Sequence, residues 1–142
     1  MAEAALSVPS SPAQPDLSWA RHLAGRFIVF EGPDGSGKST QFRRLSALLQ
    51  DAGVTLCQVR EPAGTPTGER IRQTLLDPAL TGMTVRCETL LYMASRAELV
   101  ERRILPALAR GECVLADRFI PSTLAYQGAA GGVPASEIAP AA

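Results

Sequence analysis

The fold is decided by the stretch Phe27-Ile-Val-Phe-Glu-Gly-Pro-Asp-Gly-Ser-Gly-Lys-Ser-Thr40. Its residues from Gly32 to Ser39 fit the pattern G-x-x-x-x-G-K-[ST] of a phosphate-binding loop, or P-loop. An apolar run typical of a buried strand precedes the loop, and apolar residues at helical spacing follow it over about residues 38–52. Strand, loop and helix in this order are the context that the motif requires, so the stretch predicts an α/β domain that binds phosphate.

The residue types of the loop account for that chemistry. Gly32, Gly35 and Gly37 allow the backbone to turn tightly and to approach a ligand closely. Backbone N–H groups at the start of the following helix then surround an anion, and the helix dipole adds positive potential. Lys38 supplies a positive charge for the outer phosphates, and the Ser39 hydroxyl is a hard oxygen ligand suited to Mg²⁺.

The composition is that of an ordinary globular protein. The chain has 142 residues, enough for one domain, of which 46% are apolar and 20% charged. Fourteen basic and fourteen acidic residues give a net charge of zero, which argues against a surface built for nucleic acid. No apolar run approaches the roughly 18 residues of a membrane span, so we expect no membrane-spanning segment.

The three cysteines are Cys57, Cys87 and Cys113. They are odd in number and form no C-x-x-C pair. Because each lies in an apolar context, we predict three buried, reduced thiols. Reduced thiols fit a cytoplasmic protein.

The first 25 residues differ in composition from the rest of the chain. They are rich in Ala, Ser and Pro, which predicts a disordered extension over residues 1–25 followed by a P-loop domain over residues 26–142. They show no basic start followed by an apolar stretch, so they do not resemble a secretory signal. Leu17, Trp19 and Leu23 can form a short helical turn that docks on the domain.

Strands and helices alternate along the domain. We predict strands at about 27–31, 54–59 and 113–116, and helices at about 38–52, 68–76, 85–108 and 122–127. Thr67 is expected to cap the second helix. Pro106 is expected either to kink the long third helix or to lie in the first turn of a separate helix. The first two strands and the helix between them are expected to form a right-handed βαβ unit with a parallel strand pair.

Cationic side chains follow the predicted strands. Ligands of parallel sheets bind at the carboxyl ends of the strands, so the P-loop, Arg60 and Asp117-Arg118 are expected around one crevice. Arg60 and Arg118 are predicted to bind phosphate, because a guanidinium offers two parallel hydrogen bonds. Arg72 either joins them or belongs to a solvated helix face.

Tyr92 and Arg96 lie four residues apart in a helical run and therefore share one face. An aromatic ring and a guanidinium on one face can stack on a base and hydrogen-bond to its edge. From spacing alone, a core position for Tyr92 is the alternative.

Four segments together resemble the bacterial thymidylate kinases, which are P-loop nucleoside monophosphate kinases. The segments are Phe30-Glu-Gly-Pro-Asp-Gly-Ser-Gly-Lys-Ser-Thr-Gln41, Arg60-Glu-Pro-Ala-Gly-Thr-Pro-Thr-Gly-Glu69 with Ile71-Arg72, Leu90-Leu-Tyr-Met-Ala-Ser-Arg96, and Asp117-Arg-Phe-Ile-Pro-Ser-Thr-Leu-Ala-Tyr-Gln-Gly128. The resemblance implies transfer of the ATP γ-phosphoryl group to dTMP, giving dTDP and ADP for dTTP biosynthesis. It also implies Mg²⁺ and a homodimer.

Motif position in the resemblance implies which residues serve this reaction. The implied ATP-binding residues are Gly32, Pro33, Asp34, Gly35, Ser36, Gly37, Lys38, Ser39 and Thr40. The implied dTMP-binding residues are Arg60, Arg72, Tyr92, Arg96, Arg118, Thr123 and Tyr126. The implied catalytic residues are Lys38, Arg118 and Asp34, and the implied metal-site residues are Ser39 and Asp117.

The resemblance also implies how dTMP lies in its site. Tyr92 stacks on thymine, where the family often has Phe, and Arg96 reaches a base carbonyl. Thr123 lies near the base N3. Tyr126 lies against the deoxyribose, and Asp34 lies near the 3′-hydroxyl and the water shell of the metal.

The chain departs from the family pattern in two residues and in length. Ser95 replaces a common acid, and Ala63 replaces a common glycine. The family sheet has five parallel strands with the P-loop strand in the middle, and an arginine-bearing lid closes over ATP. This chain is expected to have three of those strands, to lack the lid, and to leave the P-loop strand as an unpaired apolar edge.

Three functions therefore remain open from the sequence. One is an active dTMP kinase, and the second is a fragment that binds nucleotide without turnover. The third is a P-loop kinase that phosphorylates another nucleoside monophosphate. A GTPase is disfavoured, because the chain has no N-K-x-D motif to read a guanine base.

Overall fold

The sheet has three parallel strands, and the computed structural model describes them within residues 16–139. The strands are β1 (Phe27–Phe30), β2 (Leu56–Arg60) and β3 (Cys113–Asp117). β3 lies in the middle, and its last residue is aligned with the last residues of both β1 and β2. The predicted fold class, an incomplete P-loop parallel sheet flanked by helices, is confirmed.

The predicted parallel direction of the first two strands is confirmed, but the two strands are not neighbours in the sheet. β3 is inserted between them. Four of the five residues of β3, from Cys113 to Ala116, are fully buried. An apolar strand of this kind belongs where helices cover both of its faces. Within residues 16–139, β1 pairs on one side only, as expected for an edge strand.

Helices connect and cover the strands. Their bounds are α1 (Lys38–Asp51), α2 (Pro66–Leu75), α3 (Val85–Leu99), α4 (Leu105–Ala109), α5 (Ile120–Thr123) and α6 (Ala135–Ile138). Turns of π-helix, Val100–Ile104 and Leu124–Ala130, continue α3 and α5. Short 3-10 helices occupy Ser18–Leu23 and Pro78–Leu80. No helix of this described part is long and apolar enough to span a membrane.

The core lies on both faces of the sheet. On one face, Leu49 of α1 packs with Cys113 and Leu115 of β3. On the other face, Leu99 at the end of α3 packs with Val114 and Ala116 of the same strand. Alternating residues of β3 therefore serve both halves of the core, which fixes the strand ends relative to the helices.

Two predicted helix starts need correction. Thr65, not Thr67, caps α2, because its hydroxyl accepts a hydrogen bond of 2.9 Å from the Gly68 N–H. Pro66 occupies the first helical position, which is where proline is favoured, so the cap is the residue before it. The helix predicted at 122–127 begins earlier, at Ile120, with Pro121 in its first turn.

Residues 18–23 contradict the predicted disorder of the N-terminal extension. They form the 3-10 helix, in which Ala20 is fully buried and Leu23 packs on the α1 side of the core. The predicted docking turn is therefore present, although Trp19 is exposed. The rest of that prediction, over residues 1–15, lies outside the described residues.

The cysteine prediction holds for two of the three residues. Cys57 and Cys113 are buried, and burial raises the pKa of the Cys113 thiol. Cys87 is exposed in the first turn of α3, so its predicted burial was wrong. Leu90, three residues further on and therefore on the same side of α3, is also 68% exposed, so apolar neighbours did not indicate burial here.

Removing the side chain of Leu115 tests the central role of β3. Leu115→Ala is expected to lower the free energy of unfolding by about 2–5 kcal/mol, because the side chain is fully buried. Urea denaturation measures the change. Leu105→Ala, at an exposed position of α4, is the control and is expected to stay within about 0.5 kcal/mol. Equal losses in the two variants would contradict this role.

Candidate functional site

The P-loop joins the end of β1 to the start of α1. Gly35 and Gly37 have positive φ angles of 80° and 83°, and Gly37 is the N-cap of α1. Gly32 has a φ angle of 152°, which side chains rarely adopt, and a Cβ atom there would lie 2.7 Å from the Ser36 hydroxyl oxygen, so any other residue would be strained. Residues 33–40 line a cavity of about 330 Å³. The predicted phosphate-binding residues, apart from Gly32, therefore surround one space.

Lys38 and Asp117 form an ion pair beside this cavity. The Lys38 Nζ lies 3.2 Å from the Asp117 Oδ1. Apart from this ion pair, the buried oxygen has no hydrogen-bond partner within residues 16–139. Asp117 is the last residue of β3, so the central strand delivers a carboxylate to the P-loop. Carboxylate and hydroxyl oxygens are ligands that Mg²⁺ prefers, and Asp117 and the exposed Ser39 fit that chemistry.

A second cavity of about 450 Å³ opens next to the P-loop. Its walls come from α2, α3, the end of β2 and the helical segment after β3. The lining includes six of the seven predicted dTMP-binding residues: Arg72, Tyr92, Arg96, Arg118, Thr123 and Tyr126. Asp34 lines both this cavity and the P-loop cavity, so the two spaces adjoin at its carboxylate.

Arg118 lies at the junction of the two cavities. Its Nη2 donates a hydrogen bond of 3.0 Å to Asp34, and its Nη1 donates one of 3.1 Å to the Ser122 hydroxyl. The guanidinium carbon lies 5.4 Å from the centre of the Tyr126 ring. The side chain is mostly buried, whereas the Asp34 side chain is 99% exposed. A cation is therefore held where an anionic ligand can reach it.

Arg96 lies at the base of the larger cavity in a buried ion pair. Its Nε and Nη2 donate to the Glu61 carboxylate at 2.6–3.0 Å, and its Nη2 also donates to the Thr123 hydroxyl at 2.9 Å. The exposed fractions of the Arg96 and Glu61 side chains are only 2% and 4%. The remaining nitrogen, Nη1, lies 3.5 Å from the Met93 sulfur, a weak acceptor.

Glu61 is a site residue that the sequence analysis missed. Burial raises the pKa of its carboxyl group, and the hydrogen bonds and charge of Arg96 oppose that effect. The signal in the sequence was an acidic residue directly after a strand end, in a segment where Pro62 and Ala63 are apolar. Nothing in that signal pointed to Arg96, which is 35 residues away.

Arg72 of α2 and Arg60 of β2 differ in their position relative to the cavities. Arg72 lines the larger cavity and donates from Nη1 to the Pro62 carbonyl at 3.3 Å, so its predicted alternative of a solvated face is not what is observed. Arg60 is exposed at the end of β2 and lines neither cavity. Its binding of phosphate stays a prediction, since it lies at the same edge of the sheet but outside the walls.

Two tyrosines contribute rings to the larger cavity. Tyr92 is half-buried, and burial, followed by the charge of Glu88, raises its phenol pKa. Its predicted alternative, a core position, does not apply, because the ring lines the cavity. Tyr126 is 49% exposed. Both rings are placed to contact a ligand, while their assignment to base and sugar stays a prediction.

A strand, a P-loop and a helix at the carboxyl edge of a parallel sheet place this chain in the class of P-loop α/β proteins. The sequence profile of the thymidylate kinase family matches residues 30–140. The chain belongs to the thymidylate kinase family.

Relatives of this family cover much of the chain. A thymidylate kinase of Symbiobacterium thermophilum is 56% identical over 76% of this chain and 50% of its own length. A thymidylate kinase of Deinococcus radiodurans is 53% identical over 77% of this chain and 52% of its own length. The crystal structure of the Ehrlichia chaffeensis thymidylate kinase superposes with a TM-score of 0.76 at 40% identity, covering 82% of this chain and 65% of that one. The chain spans about half the length of the curated relatives it matches.

The raised pKa of Glu61 predicts how stability depends on pH. A carboxyl group with a higher pKa in the folded state binds its proton more tightly when folded. Its contribution to the free energy of unfolding therefore falls as the pH rises above its ordinary pKa of 4.5, and levels off above the folded-state pKa. Glu61→Gln removes this titration, so the stability of the unmodified chain relative to the variant should fall across that window.

Urea denaturation of both proteins from about pH 4 to pH 8 measures this difference. Glu137→Gln, which removes an exposed carboxylate paired with Arg86, is the control and should show no such trend. A difference that grows in favour of the unmodified chain as the pH rises would contradict the prediction. It would mean that Arg96 outweighs burial and lowers the pKa of Glu61.

Proposed function

We propose that the protein is a nucleotide kinase that transfers the γ-phosphoryl group of ATP to dTMP, giving dTDP and ADP. The observation that carries the proposal is the meeting of two cavities at Asp34, one lined by the P-loop and the other by the predicted acceptor residues. Phosphoryl transfer needs a donor and an acceptor held side by side in this way. The relatives that are named thymidylate kinase support dTMP as the acceptor.

The donor half of the mechanism belongs to the P-loop. The loop amides and the α1 N-terminus hold the ATP phosphates, and Lys38 adds a positive charge to them. Its pairing with Asp117 keeps the ammonium group at the cavity wall before ATP arrives. Mg²⁺, when bound, neutralises charge on the phosphates, and the residues that would hold it are Ser39 and Asp117.

The acceptor half belongs to the larger cavity. Tyr92 stacks on the base, and the Nη1 of Arg96 donates to a base carbonyl, because Glu61 and Thr123 occupy its other nitrogens. Thr123 lies near the base N3, and Tyr126 lies against the sugar. Arg118 holds the acceptor phosphate at the junction and stabilises the charge that develops during transfer.

Two alternative functions and three further features stay predictions. The chain binds nucleotide without turnover, or it phosphorylates another nucleoside monophosphate. A homodimer and a place in dTTP biosynthesis follow from the family resemblance, and a cytoplasmic location follows from the predicted reduced thiols.

Lys38 offers a sharp test, because it is the only lysine in the chain. An amine-directed reagent such as pyridoxal phosphate with borohydride should label Lys38, and ATP with Mg²⁺ should protect it. Peptide mass spectrometry locates the label and separates it from labelling of the N-terminal amine.

Lys38→Ala should reduce ADP release with ATP and dTMP by at least about a hundredfold, since it removes a charge that stabilises the transferred group.

Arg110→Ala is the matched control, since it removes an exposed cation paired with Glu112 and lies outside both cavity walls. It should leave ADP release unchanged. Unchanged release in Lys38→Ala would contradict the P-loop assignment. ATP protection of Lys38 without any ADP release from the unmodified chain would favour nucleotide binding without turnover.

A panel of acceptors tests the substrate. ADP release with dTMP should exceed release with dUMP by about 10–200-fold in kcat/KM, the range that one methyl group in an apolar pocket contributes. Release with dCMP should be lower still, because its amino group replaces the carbonyl that Arg96 would contact. A preference for another monophosphate would support the kinase reaction but overturn dTMP as its acceptor.

A further inference from the structure

Glu31, the residue between β1 and the first glycine of the P-loop, makes an unusual set of contacts. Its Oε1 accepts hydrogen bonds from the Phe119 N–H at 2.8 Å and the Ser122 N–H at 3.3 Å. Its Oε2 accepts one of 2.6 Å from the Ser122 hydroxyl. The partners are about 90 residues away in sequence and begin α5, so one carboxylate ties the P-loop strand to the helix after β3.

The segment that Glu31 holds includes a strained residue. Arg118 has a φ angle of 71°, a left-handed conformation that is uncommon for a residue with a side chain. Its own N–H donates to the Phe30 carbonyl at 3.0 Å, and the next N–H, that of Phe119, donates to Glu31. Two consecutive amides are therefore held by the end of β1, which fixes this backbone turn.

The same contacts reach the side chain of Arg118. The Ser122 hydroxyl donates to Glu31 and accepts from the Arg118 Nη1, while the Arg118 Nη2 donates to Asp34. A continuous chain of hydrogen bonds thus runs from Glu31 through Ser122 and Arg118 to Asp34. Glu31 and Asp34, at the two ends of this hydrogen-bond series, belong to the segment that enters and forms the P-loop. Ser122 and Arg118, in its middle, line the larger cavity.

We propose that Glu31 is a positioning residue that sets the Arg118 guanidinium for the acceptor phosphate, acting through Ser122. Glu31 lines a neighbouring cavity of about 390 Å³ with Arg118 and Tyr126, but it does not line the larger cavity, so its effect on a ligand there passes through its partners. This inference rests on the proposed function for the identity of the ligand. It predicts that binding of the acceptor phosphate is weakened far more than binding of the nucleoside part.

The test compares dTMP with thymidine, which lacks the phosphate, by isothermal titration calorimetry on the full chain. Glu31→Ala should weaken dTMP binding by about tenfold or more, the range for losing a hydrogen bond to a charged group. Thymidine binding should change much less, since thymidine lacks the phosphate that the Arg118 guanidinium would hold. A merely structural role of Glu31 would weaken both ligands alike.

Two further variants show whether the effect passes through Ser122. Glu31→Gln keeps one oxygen for the Phe119 and Ser122 amides and should recover most of the dTMP affinity. Ser122→Ala should weaken the binding of dTMP but not that of thymidine. Combining it with Glu31→Ala should weaken dTMP binding little further, because the effects of substitutions within one hydrogen-bond network do not add. Asp16→Ala, which removes an exposed carboxylate that accepts a hydrogen bond from the Ser18 N–H and lies outside both cavity walls, is the matched control.

The outcomes distinguish a positioning role of Glu31 from a merely structural one. Equal losses for dTMP and thymidine, or no loss in Glu31→Ala, would overturn the positioning role. If the unmodified chain binds neither ligand, the proposed function fails, and amide hydrogen exchange then tests the positioning role alone. Exchange at Phe119 and Ser122 should speed up at least tenfold in Glu31→Ala and little in Glu31→Gln. Unchanged exchange would overturn the inference.

Discussion

The burial of β3 is the constraint on which the rest of the structure depends. Because its residues contribute to the core on both faces of the sheet, β3 takes the middle position and pairs with both other strands. Its last residue, Asp117, is therefore aligned with the ends of β1 and β2. The P-loop, the Arg118 turn and Glu61 meet at one edge for this reason, although they lie far apart in sequence.

Charge is distributed unevenly across that edge. Arg96 and Glu61 are almost completely buried and neutralise one another, with Thr123 satisfying a further N–H. Such a pair adds little net stability, because the loss of hydration offsets the attraction. It does fix a guanidinium within a cavity wall. Lys38 and Arg118 instead pair with Asp117 and Asp34 at the more open side, where a phosphate can replace or share these partners.

The sequence predicted the local structure well and the spatial relations less well. The P-loop pattern and the apolar periods located all three strands, because those signals depend on neighbouring residues. The strand order could not be derived from them, since any of several orders satisfies a βαβ unit. The same limit applies to the site. Six of the seven predicted dTMP-binding residues line one cavity, but Glu61 and Glu31 were missed, because their partners lie 35 and about 90 residues away.

The left-handed backbone at Arg118 places two separate demands on one position. Glycine would satisfy the backbone with no strain, and a strained non-glycine residue costs on the order of 1–3 kcal/mol. Yet glycine would remove the guanidinium from the junction of the cavities. Selection for stability and selection for ligand binding therefore favour different residues here. Arg118 is a position where we expect a more stable chain to be a poorer binder, so stabilising screens of this protein should leave it untouched.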